Sequence, residues 1–309
     1  MKTLAPILLF TYNRPDYLKQ TLEALKKNTL AKESDLFVFS DGWKDEFDRK
    51  KVEEVRVLLH SITGFKSIEI LENKTNKKLA PSLIAGISKI FDTFDKIIVF
   101  EDDIVCSELT LEFLNDALEV YKEDTNVGMI HAQVETIPNL PELFFIQRSG
   151  CLAWAMWKRA WNEINFDGTY LLSEIIRQKR EKEFNQNNSY RYIQMLKKQI
   201  AGKNSSWAIR VYASFFLKNI LTLYPGNSYA QHIGFEHGTN CGYATQGTDV
   251  DGHITAIANV ATRIPIHIDE ITEEKIEHFY KLQKRWTSKF IFNEIMKRWR
   301  RLLSFISHP

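Results

Sequence analysis

The chain has 309 residues, of which 44% are hydrophobic and 26% are charged, a composition typical of globular proteins that excludes extended disorder. The formal charge of +2 is unevenly distributed, because residues 281–309 hold eight Lys or Arg and one Glu, whereas the first 280 residues hold 33 basic and 38 acidic residues. This mildly acidic body lacks the broad basic face of nucleic-acid-binding proteins, so we expect no nucleic-acid partner.

Apolar runs and cysteines bear on localisation. The longest uninterrupted apolar run, Cys151 to Trp157, has seven residues and is too short to span a bilayer. The N-terminus lacks the long apolar core and the cleavage site of a signal peptide. Three scattered cysteines show neither disulfide nor metal-binding spacing. We therefore expect a cytoplasmic protein.

Strand-like and helix-like patterns alternate over the first 135 residues. In chain order they predict strand 6–12, helix 15–27, strand 36–40, helix 46–62, strand 67–71, helix 81–91, strand 96–100, helix 107–121 and strand 127–131. This alternation predicts a mostly parallel sheet covered by helices on both faces. Ligands bind such sheets at the carboxyl ends of the strands, so the residues that follow each strand are candidates for a site.

The regular alternation ends after Pro141. The patterns predict a strand over 144–147, an aromatic helix over 150–164 and a helix that ends near 217. A charged, Asn- and Gln-rich stretch over 177–188 is typical of an exposed surface excursion, and residues 233–253 form a loop rich in Gly, Thr and Asp. We interpret this half of the chain as a smaller part built onto the first sheet.

The most informative motif is Glu101-Asp102-Asp103, which directly follows a predicted strand too apolar to have a solvated face. Three neighbouring carboxylates at the ligand edge of a sheet repel one another unless a cation lies among them. A divalent ion that also contacts a diphosphate is the natural occupant. The alternative is that these acids cap the helix that follows. A rival motif, Asp249-Val250-Asp251-Gly252, has no strand before it and is typical of a turn.

Together with two further motifs, these residues resemble a known family. Thr11-Tyr12-Asn13-Arg14-Pro15 follows the first predicted strand and Ser40-Asp41-Gly42 follows the second. With Glu101-Asp102-Asp103, they resemble the motifs of GT-A glycosyltransferases. The Glu-Asp-Asp form is similar to that of the N-acetylglucosaminyltransferase that starts complex N-glycans, and of its bacterial relatives. Looser similarities in the second half extend the resemblance over roughly residues 4 to 245.

The resemblance implies roles for individual residues. Thr11, Tyr12, Asn13 and Arg14 would line the nucleotide pocket, and Asp41 would accept a hydrogen bond from uracil. Asp103 would ligate Mn²⁺ or Mg²⁺, while Glu101 and Asp102 would contact the ribose or the sugar. Three lysines that follow the third predicted strand are placed to add positive charge near the diphosphate, although solvated lysines are the simpler interpretation; they are Lys74, Lys77 and Lys78.

The resemblance fails at one position. Relatives carry an aspartate base beside a tryptophan of the second half, whereas Trp207 lies between Ser206 and Ala208. A serine cannot act as a carboxylate base at neutral pH. We nominate Glu236 instead, because it lies in a glycine-containing loop next to His237. Asp167 and Asp249 are the reserves.

Three tryptophans and four histidines complete the candidates. Trp154, Trp157 and Trp161 favour the protein core over a sugar-binding platform. His237 stands apart through its neighbour Glu236. The other three lack a ligand pattern and are interpreted as ordinary polar residues; these are His232, His253 and His267.

Basic residues alternate with apolar ones at the C-terminus. The apolar positions recur at three- to five-residue steps: Leu282, Trp286, Phe290, Ile295, Trp299, Leu302 and Ile306. A basic amphipathic helix that contains tryptophans suits an anionic membrane surface. The alternative is that this helix packs on the body of the protein.

These inferences predict an α/β protein of GT-A type, a mostly parallel sheet flanked by helices. Residues 1–135 would form the nucleotide-sugar-binding part, 136–270 the acceptor-side part of the same domain, and 271–309 a basic helical tail. The expected activity is inverting, metal-assisted transfer of a sugar from a UDP-sugar to a hydroxyl of a saccharide or glycolipid. The alternative is a catalytically silent nucleotide-sugar-binding protein. We expect a cytoplasmic enzyme that can lie peripherally on the inner face of the membrane.

Overall fold

A computed structural model describes residues 3–234 and 253–283. Its first part alternates as predicted, and every element bound lies within three residues of its expected place. In chain order the elements are β1 (Ile7–Thr11), α1 (Pro15–Lys26), a 3-10 turn (Ala31–Glu33), β2 (Asp35–Ser40), α2 (Glu46–His60), β3 (Ser67–Glu72), α3 (Leu79–Ile90), β4 (Lys96–Glu101), β5 (Ile104–Cys106), α4 (Thr110–Val120) and β6 (Val127–His131).

The second part adds four strands and six helices within the described residues. They are β7 (Leu143–Ile146), β8 (Trp154–Trp157), α5 (Lys158–Trp161), α6 (Gly168–Arg177), α7 (Glu181–Phe184), α8 (Tyr192–Ile200), α9 (Ala208–Lys218), β9 (Leu221–Pro225), β10 (Ala230–His232) and α10 (270–283). The strand predicted over 144–147 and the helix that ends near 217 are confirmed.

One prediction for the second part is wrong, and another holds only in part. The helix expected over 150–164 is mostly absent, because residues 154–157 form β8, paired between β4 and β6. A strand buried on both faces is apolar throughout, so periodicity cannot separate it from a buried helix. The stretch 177–188 is only partly exposed, since Phe184 is fully buried and stacks on Tyr212 with ring centres 4.6 Å apart.

The main sheet is mostly parallel, as predicted. Its strand order is β3-β2-β1-β4-β8-β6-β9-β7, and six of these eight strands run in one direction while β7 and β8 run in the other. Strands from both parts of the chain therefore share one sheet. The carboxyl ends of β1, β2, β3 and β4 lie at a single edge.

Helices cover both faces of the sheet, and β1 shows how the sequence achieves this. Ile7 and Leu9 pack with α1, α2 and α4 on one face, whereas Leu8 and Phe10 pack with α3 and α9 on the other. Alternate strand residues point to opposite faces, so an entirely apolar strand is the form expected between two helical layers. Burial of both faces makes the sheet a fixed platform for the residues at its edge.

A short antiparallel pair, β5 with β10, crosses this ligand edge. Gln231 pairs with Val105, and Ile233 N donates to Asp103 O at 2.9 Å. The pairing brings residues 230–234 against the turn that follows β4. A segment distant in the sequence is thereby held beside the carboxylate motif.

Helix α10 packs near β7, the strand at one side of the sheet, whereas β3 lies at the other side. Ile268, just before α10, bridges to Phe145 of the edge strand β7. The Tyr280 hydroxyl donates to Glu135 Oε1, and Glu135 forms a buried two-pronged ion pair with Arg148 at 2.9 Å for each contact. The tail beyond residue 283 lies outside the described residues. Within the described part, no helix is both long and apolar enough to cross a membrane.

Candidate active site

The three carboxylates form a tight turn at the edge of the sheet. Glu101 is the last residue of β4, and Asp102 and Asp103 turn the chain into β5. Helix α4 begins at Thr110, seven residues after Asp103, so the motif does not cap that helix. Asp102 and Asp103 are almost completely buried, at 2% and 3% exposure. The carboxylates thus lie where the sequence placed them, at the ligand edge.

Arg14 supplies a positive charge between two of these carboxylates. Its Nη1 donates to Asp103 Oδ2 at 2.5 Å and its Nη2 donates to Asp102 Oδ1 at 2.6 Å. Arg14 occupies the position directly before α1, because Pro15 fixes the first helical turn and the helix then leads away from the edge. The guanidinium is planar and can bridge two carboxylates at once.

Asp102 is also held by the backbone of the first motif. Tyr12 N donates to Asp102 Oδ2 at 3.0 Å, and the Thr21 hydroxyl donates to the Asp102 carbonyl at 2.9 Å. These contacts tie the turn to the end of β1 and to α1. The first motif and the acidic motif therefore form one cluster.

The pKa values of the cluster reflect burial and mutual repulsion. Burial, followed by the negative charges of Asp103 and Asp102, raises the pKa of Glu101 to about 8. Burial also raises the pKa of Asp102, although Arg14 opposes the effect. Burial alone would raise the pKa of Asp103, but His232 and Arg14 outweigh it and hold that pKa below its usual value. Among the three carboxyl groups, only Asp103 therefore has its pKa lowered by its neighbours.

Sequence reasoning missed His232. Its Nε2 lies 2.9 Å from Asp103 Oδ2, and its side chain is only 9% exposed. Next to it the Gly234 backbone packs so closely that a Cβ there would overlap Asp103 Oδ2. The two residues are 129 positions apart, and the β5–β10 pairing joins them, so no local spacing signals the contact.

The groups around Asp103 fit a divalent ion as a partial ligand set. Asp103 Oδ1 is buried and has no hydrogen-bond partner among the described residues. A carboxylate oxygen and an imidazole nitrogen are both ligands that Mn²⁺ accepts. Within residues 3–234 and 253–283, no three acidic, His or Cys side chains are arranged to hold a metal. A bound ion would therefore draw further ligands from elsewhere, and diphosphate oxygens are suitable.

Asp41 holds the loop over residues 73–78. Its carboxylate accepts hydrogen bonds from four donors at 3.0 to 3.1 Å, which are Gly42 N, Asn73 Nδ2, Lys77 N and Lys78 N. A Cβ on Gly42 would lie 2.5 Å from the Thr75 carbonyl carbon, so only glycine lets the loop approach this closely. Lys74 is exposed on the same loop. The structure thus places Asp41, which follows β2, against the loop that carries Lys74.

Tyr12 and Asn13 contact a residue that the sequence did not single out. The Tyr12 hydroxyl donates to Asp48 Oδ2 at 2.5 Å, and Asn13 Nδ2 donates to Asp48 Oδ1 at 2.8 Å. Burial and the hydrogen bond to Asp48 raise the pKa of Tyr12. Thr11 is buried, and its hydroxyl has no partner among the described residues. The first motif is therefore anchored on both sides, to Asp102 and to Asp48.

Ser206 and Trp207 lie at the start of α9. Ser206 Oγ accepts a hydrogen bond from Ile209 N at 3.3 Å, and Trp207 packs on Trp154 with ring centres 5.3 Å apart. Ser206 therefore serves the start of α9. The three tryptophans at 154, 157 and 161 are at most 6% exposed, as the core interpretation predicted.

Of the three candidate bases, the structure describes only Asp167. Glu236, His237 and Asp249 lie outside the described residues. Asp167 accepts hydrogen bonds from Thr169 N and Tyr170 N and caps α6. Asp167 is therefore engaged in helix capping.

The first part of the chain matches the model of a known protein family. Residues 7–149 match the model of glycosyl transferase family 2. The matched part, somewhat less than half of the chain, is similar to the glycosyltransferases of this family. The α/β fold, with its mostly parallel sheet and its ligand edge, is of GT-A type. No match to the chain was found among curated proteins.

Solved structures give matches of low identity. The S. aureus TarS 1-349 structure is 14% identical, with a TM-score of 0.40 over 74% of this chain and 59% of that one. The same fragment in complex with UDP-GlcNAc is 13% identical, with a TM-score of 0.40 over 74% and 57%. Mannosyltransferase PcManGT from Pyrobaculum calidifontis, in complex with GDP-Man and Mn2+, is 10% identical, with a TM-score of 0.40 over 70% and 71%. The chain thus spans less than two thirds of the TarS fragment, and nothing about donor or acceptor follows.

Proposed function

We propose that this protein is a glycosyltransferase that moves a sugar from a UDP-sugar to a hydroxyl of a saccharide or glycolipid acceptor. We further propose that the reaction is metal-assisted and inverting. One observation carries the proposal: the Glu101–Asp103 turn, Arg14 and His232 converge at the ligand edge of a domain that matches a glycosyltransferase family. The residue resemblance to enzymes that transfer N-acetylglucosamine supports a hexosyl or N-acetylhexosaminyl donor.

The chemistry of the leaving group explains why these residues are needed. When the bond to the sugar breaks, negative charge grows on the diphosphate and must be neutralised. A bound Mn²⁺ or Mg²⁺ supplies part of that neutralisation. In our proposal Asp103 and His232 hold the ion and Arg14 contacts the diphosphate. Glu101 and Asp102 bind the sugar or the ribose from the same turn.

The nucleoside is proposed to bind beside β1 and β2. Thr11, Tyr12 and Asn13 would line its pocket, and Asp41 would accept the uracil imide hydrogen. The protein donors that already surround Asp41 support a role in shaping the pocket as well, because they fix the loop that carries Lys74. A uracil ring would share the Asp41 carboxylate with these donors.

Glu236 is the proposed base that removes the proton from the acceptor hydroxyl. Asp167, one of the two reserve candidates, already caps α6. Glu236 follows Gly234 by two residues, and Gly234 touches Asp103. This proximity in sequence supports the choice of Glu236.

The second candidate function is a nucleotide-sugar-binding protein without transferase activity. It is favoured by Ser206, which occupies the position of the expected aspartate and bonds to its own helix. Such a protein would bind donor without releasing UDP. The two candidates therefore differ in a single measurable product.

The deciding experiment has two steps. A thermal-shift screen of UDP-, GDP- and CMP-sugars, each with and without Mn²⁺, first identifies the donor, because a ligand that binds only the folded protein raises the melting temperature. UDP release from that donor is then followed over time. Release supports the transferase, and binding without release supports the silent protein. No shift with any UDP-sugar contradicts both.

We also propose that the tail attaches the enzyme to the inner face of an anionic membrane. The seven basic residues after residue 283 and the intervening aromatic residues support this proposal. A membrane-bound acceptor such as a glycolipid would then be presented to the ligand edge.

A further inference from the structure

The protein carries its own cation at the carboxylate turn. Arg14 Nη1 lies 2.5 Å from Asp103 Oδ2 and Arg14 Nη2 lies 2.6 Å from Asp102 Oδ1, so one guanidinium joins both carboxylates. The arginine side chain is 24% exposed, whereas the carboxylates are 2% and 4% exposed. The cation therefore lies on the solvent side of the buried acids.

An ion that binds Asp103 has to approach from the side of the turn that the Arg14 guanidinium occupies. Asp103 Oδ2 is already shared by Arg14 and His232, and the Gly234 backbone closes on the same atom. A divalent ion near Asp103 meets the positive guanidinium, and like charges at this distance repel strongly in a partly buried site. The ion and Arg14 cannot both make their best contacts with the turn.

We propose that Arg14 is a placeholder for the metal: it neutralises Asp102 and Asp103 and leaves them when a metal–diphosphate complex binds. The diphosphate gives the displaced guanidinium new acceptors, since arginine binds phosphate in the same two-pronged way as carboxylate. Free ion lacks this compensation. The protein therefore binds free Mn²⁺ weakly and binds it tightly only with the nucleotide.

The inference rests on the proposed function in one respect, namely that the incoming ion arrives with a diphosphate. A competing arrangement is also defined by the structure. Asp103 Oδ1 is buried without a partner among the described residues, so an ion could use this oxygen while Arg14 stays in place. In that arrangement Arg14 is a fixed counter-ion, and its removal would not improve metal binding.

Mn²⁺ binding measured by electron paramagnetic resonance separates these arrangements, since only free Mn²⁺ gives the sharp solution signal. The variants are Arg14→Met, which removes the charge, and Arg14→Lys, which keeps the charge but cannot bridge two carboxylates. The matched control is Arg49→Met, an exposed arginine on α2 that pairs with Glu53 at 2.8 Å. Each protein is titrated with Mn²⁺ alone and with Mn²⁺ at saturating UDP.

We expect Arg14→Met to bind free Mn²⁺ at least ~10-fold more tightly than the parent, with Arg14→Lys between them and Arg49→Met equal to the parent. The gain in Mn²⁺ affinity that UDP brings to the parent should shrink at least ~10-fold in Arg14→Met, because the diphosphate has lost its arginine. Unchanged or weaker binding of free Mn²⁺ by Arg14→Met overturns the inference, as does the absence of Mn²⁺ binding in both proteins.

The test is independent of transferase activity. A parent protein that neither transfers nor hydrolyses any UDP-sugar would sink the proposed function, yet tighter Mn²⁺ binding by Arg14→Met would still support the placeholder. Circular dichroism checks that the variants are folded. If Arg14→Met does not fold, Arg14→Lys decides alone: tighter binding than the parent supports the inference, and equal or weaker binding overturns it.

Discussion

Asp103 has two carboxylate oxygens in different situations. Oδ2 is shared by Arg14 and His232, whereas Oδ1 is buried with no partner among the described residues. A buried acceptor without a hydrogen bond is costly and calls for an explanation. An ion that binds there together with the donor would satisfy it.

Asp103→Asn is expected to abolish Mn²⁺-dependent binding of UDP, because the neutral amide removes the charge that holds the ion. The fold should survive, since the amide oxygen still accepts a hydrogen bond from Arg14 or His232. Calorimetric titration with UDP, with and without Mn²⁺, measures the effect. Asp124→Asn, which affects a surface pair with Arg263, is the matched control. A variant whose UDP affinity still rises with Mn²⁺ would remove Asp103 from the metal site.

Glu236→Gln is expected to keep UDP-sugar affinity within a few-fold and to lower transfer by ~10²-fold or more, the usual effect of losing a general base. The glutamine has the same shape but cannot take up a proton. Initial rates at saturating donor measure the loss, and Glu274→Gln on the exposed side of α10 serves as control. Transfer at the parent rate would exclude Glu236.

Single residues were predictable where local sequence determined their position. Arg14, Asp102 and Asp103 each lie directly beside a predicted strand or helix end, so their meeting followed from the parallel sheet. His232 and Asp48 were missed for two different reasons. His232 reaches the site only through the β5–β10 pairing, and Asp48 lies in the first turn of α2, where an acid has an ordinary structural explanation.

Among the elements, α9 shows how one polar side chain supports the start of a helix. Ser206 accepts the hydrogen bond from Ile209 N that would otherwise be missing in the first turn. Trp207 then packs on Trp154 of β8, which fixes the helix against the sheet. The stability of α9 therefore depends on the side chain at position 206.

Ser206→Ala is expected to destabilise the protein by about 1 kcal/mol, the usual cost of losing a helix cap, while Ser206→Asp keeps the stability. Aspartate accepts the same hydrogen bond and also favours the positive end of the helix. Urea unfolding of the two variants measures the difference. Equal destabilisation by alanine and aspartate would show that Ser206 does not act as a cap.

The prediction of elements succeeded and failed for identifiable reasons. In α1 the apolar positions 18, 22 and 25 mark one helix face and Pro15 marks its start, so short-range information was sufficient. Residues 151–157 are all apolar, so no single helix face stands out and no residue indicates a helix start. Its identity as a strand depends on its neighbours β4 and β6, which flank it only in the folded sheet.

At the scale of the whole molecule, α10 links the ligand-binding body to the basic tail. Tyr280 reaches into the buried pair of Glu135 and Arg148, and the Arg148 guanidinium lies 5.7 Å from the Tyr280 ring centre. Burial raises the pKa of Tyr280, so its hydroxyl keeps the proton that it donates to Glu135. These contacts hold the described part of α10, which ends at residue 283, against the body of the protein.

Deleting residues 284–309 is expected to release the protein from anionic vesicles while leaving the body folded, because the shortened chain keeps Tyr280 and its partners. The deleted segment has seven basic residues and one acidic residue, and each basic residue contributes about 1 kcal/mol near an anionic surface. Sedimentation with vesicles of phosphatidylglycerol and phosphatidylcholine at low salt measures the binding. Vesicles of phosphatidylcholine alone, and high salt, are the controls, since both weaken electrostatic attraction. If the intact chain stays in the supernatant with the anionic vesicles, the tail instead packs on the protein body and the membrane proposal is wrong.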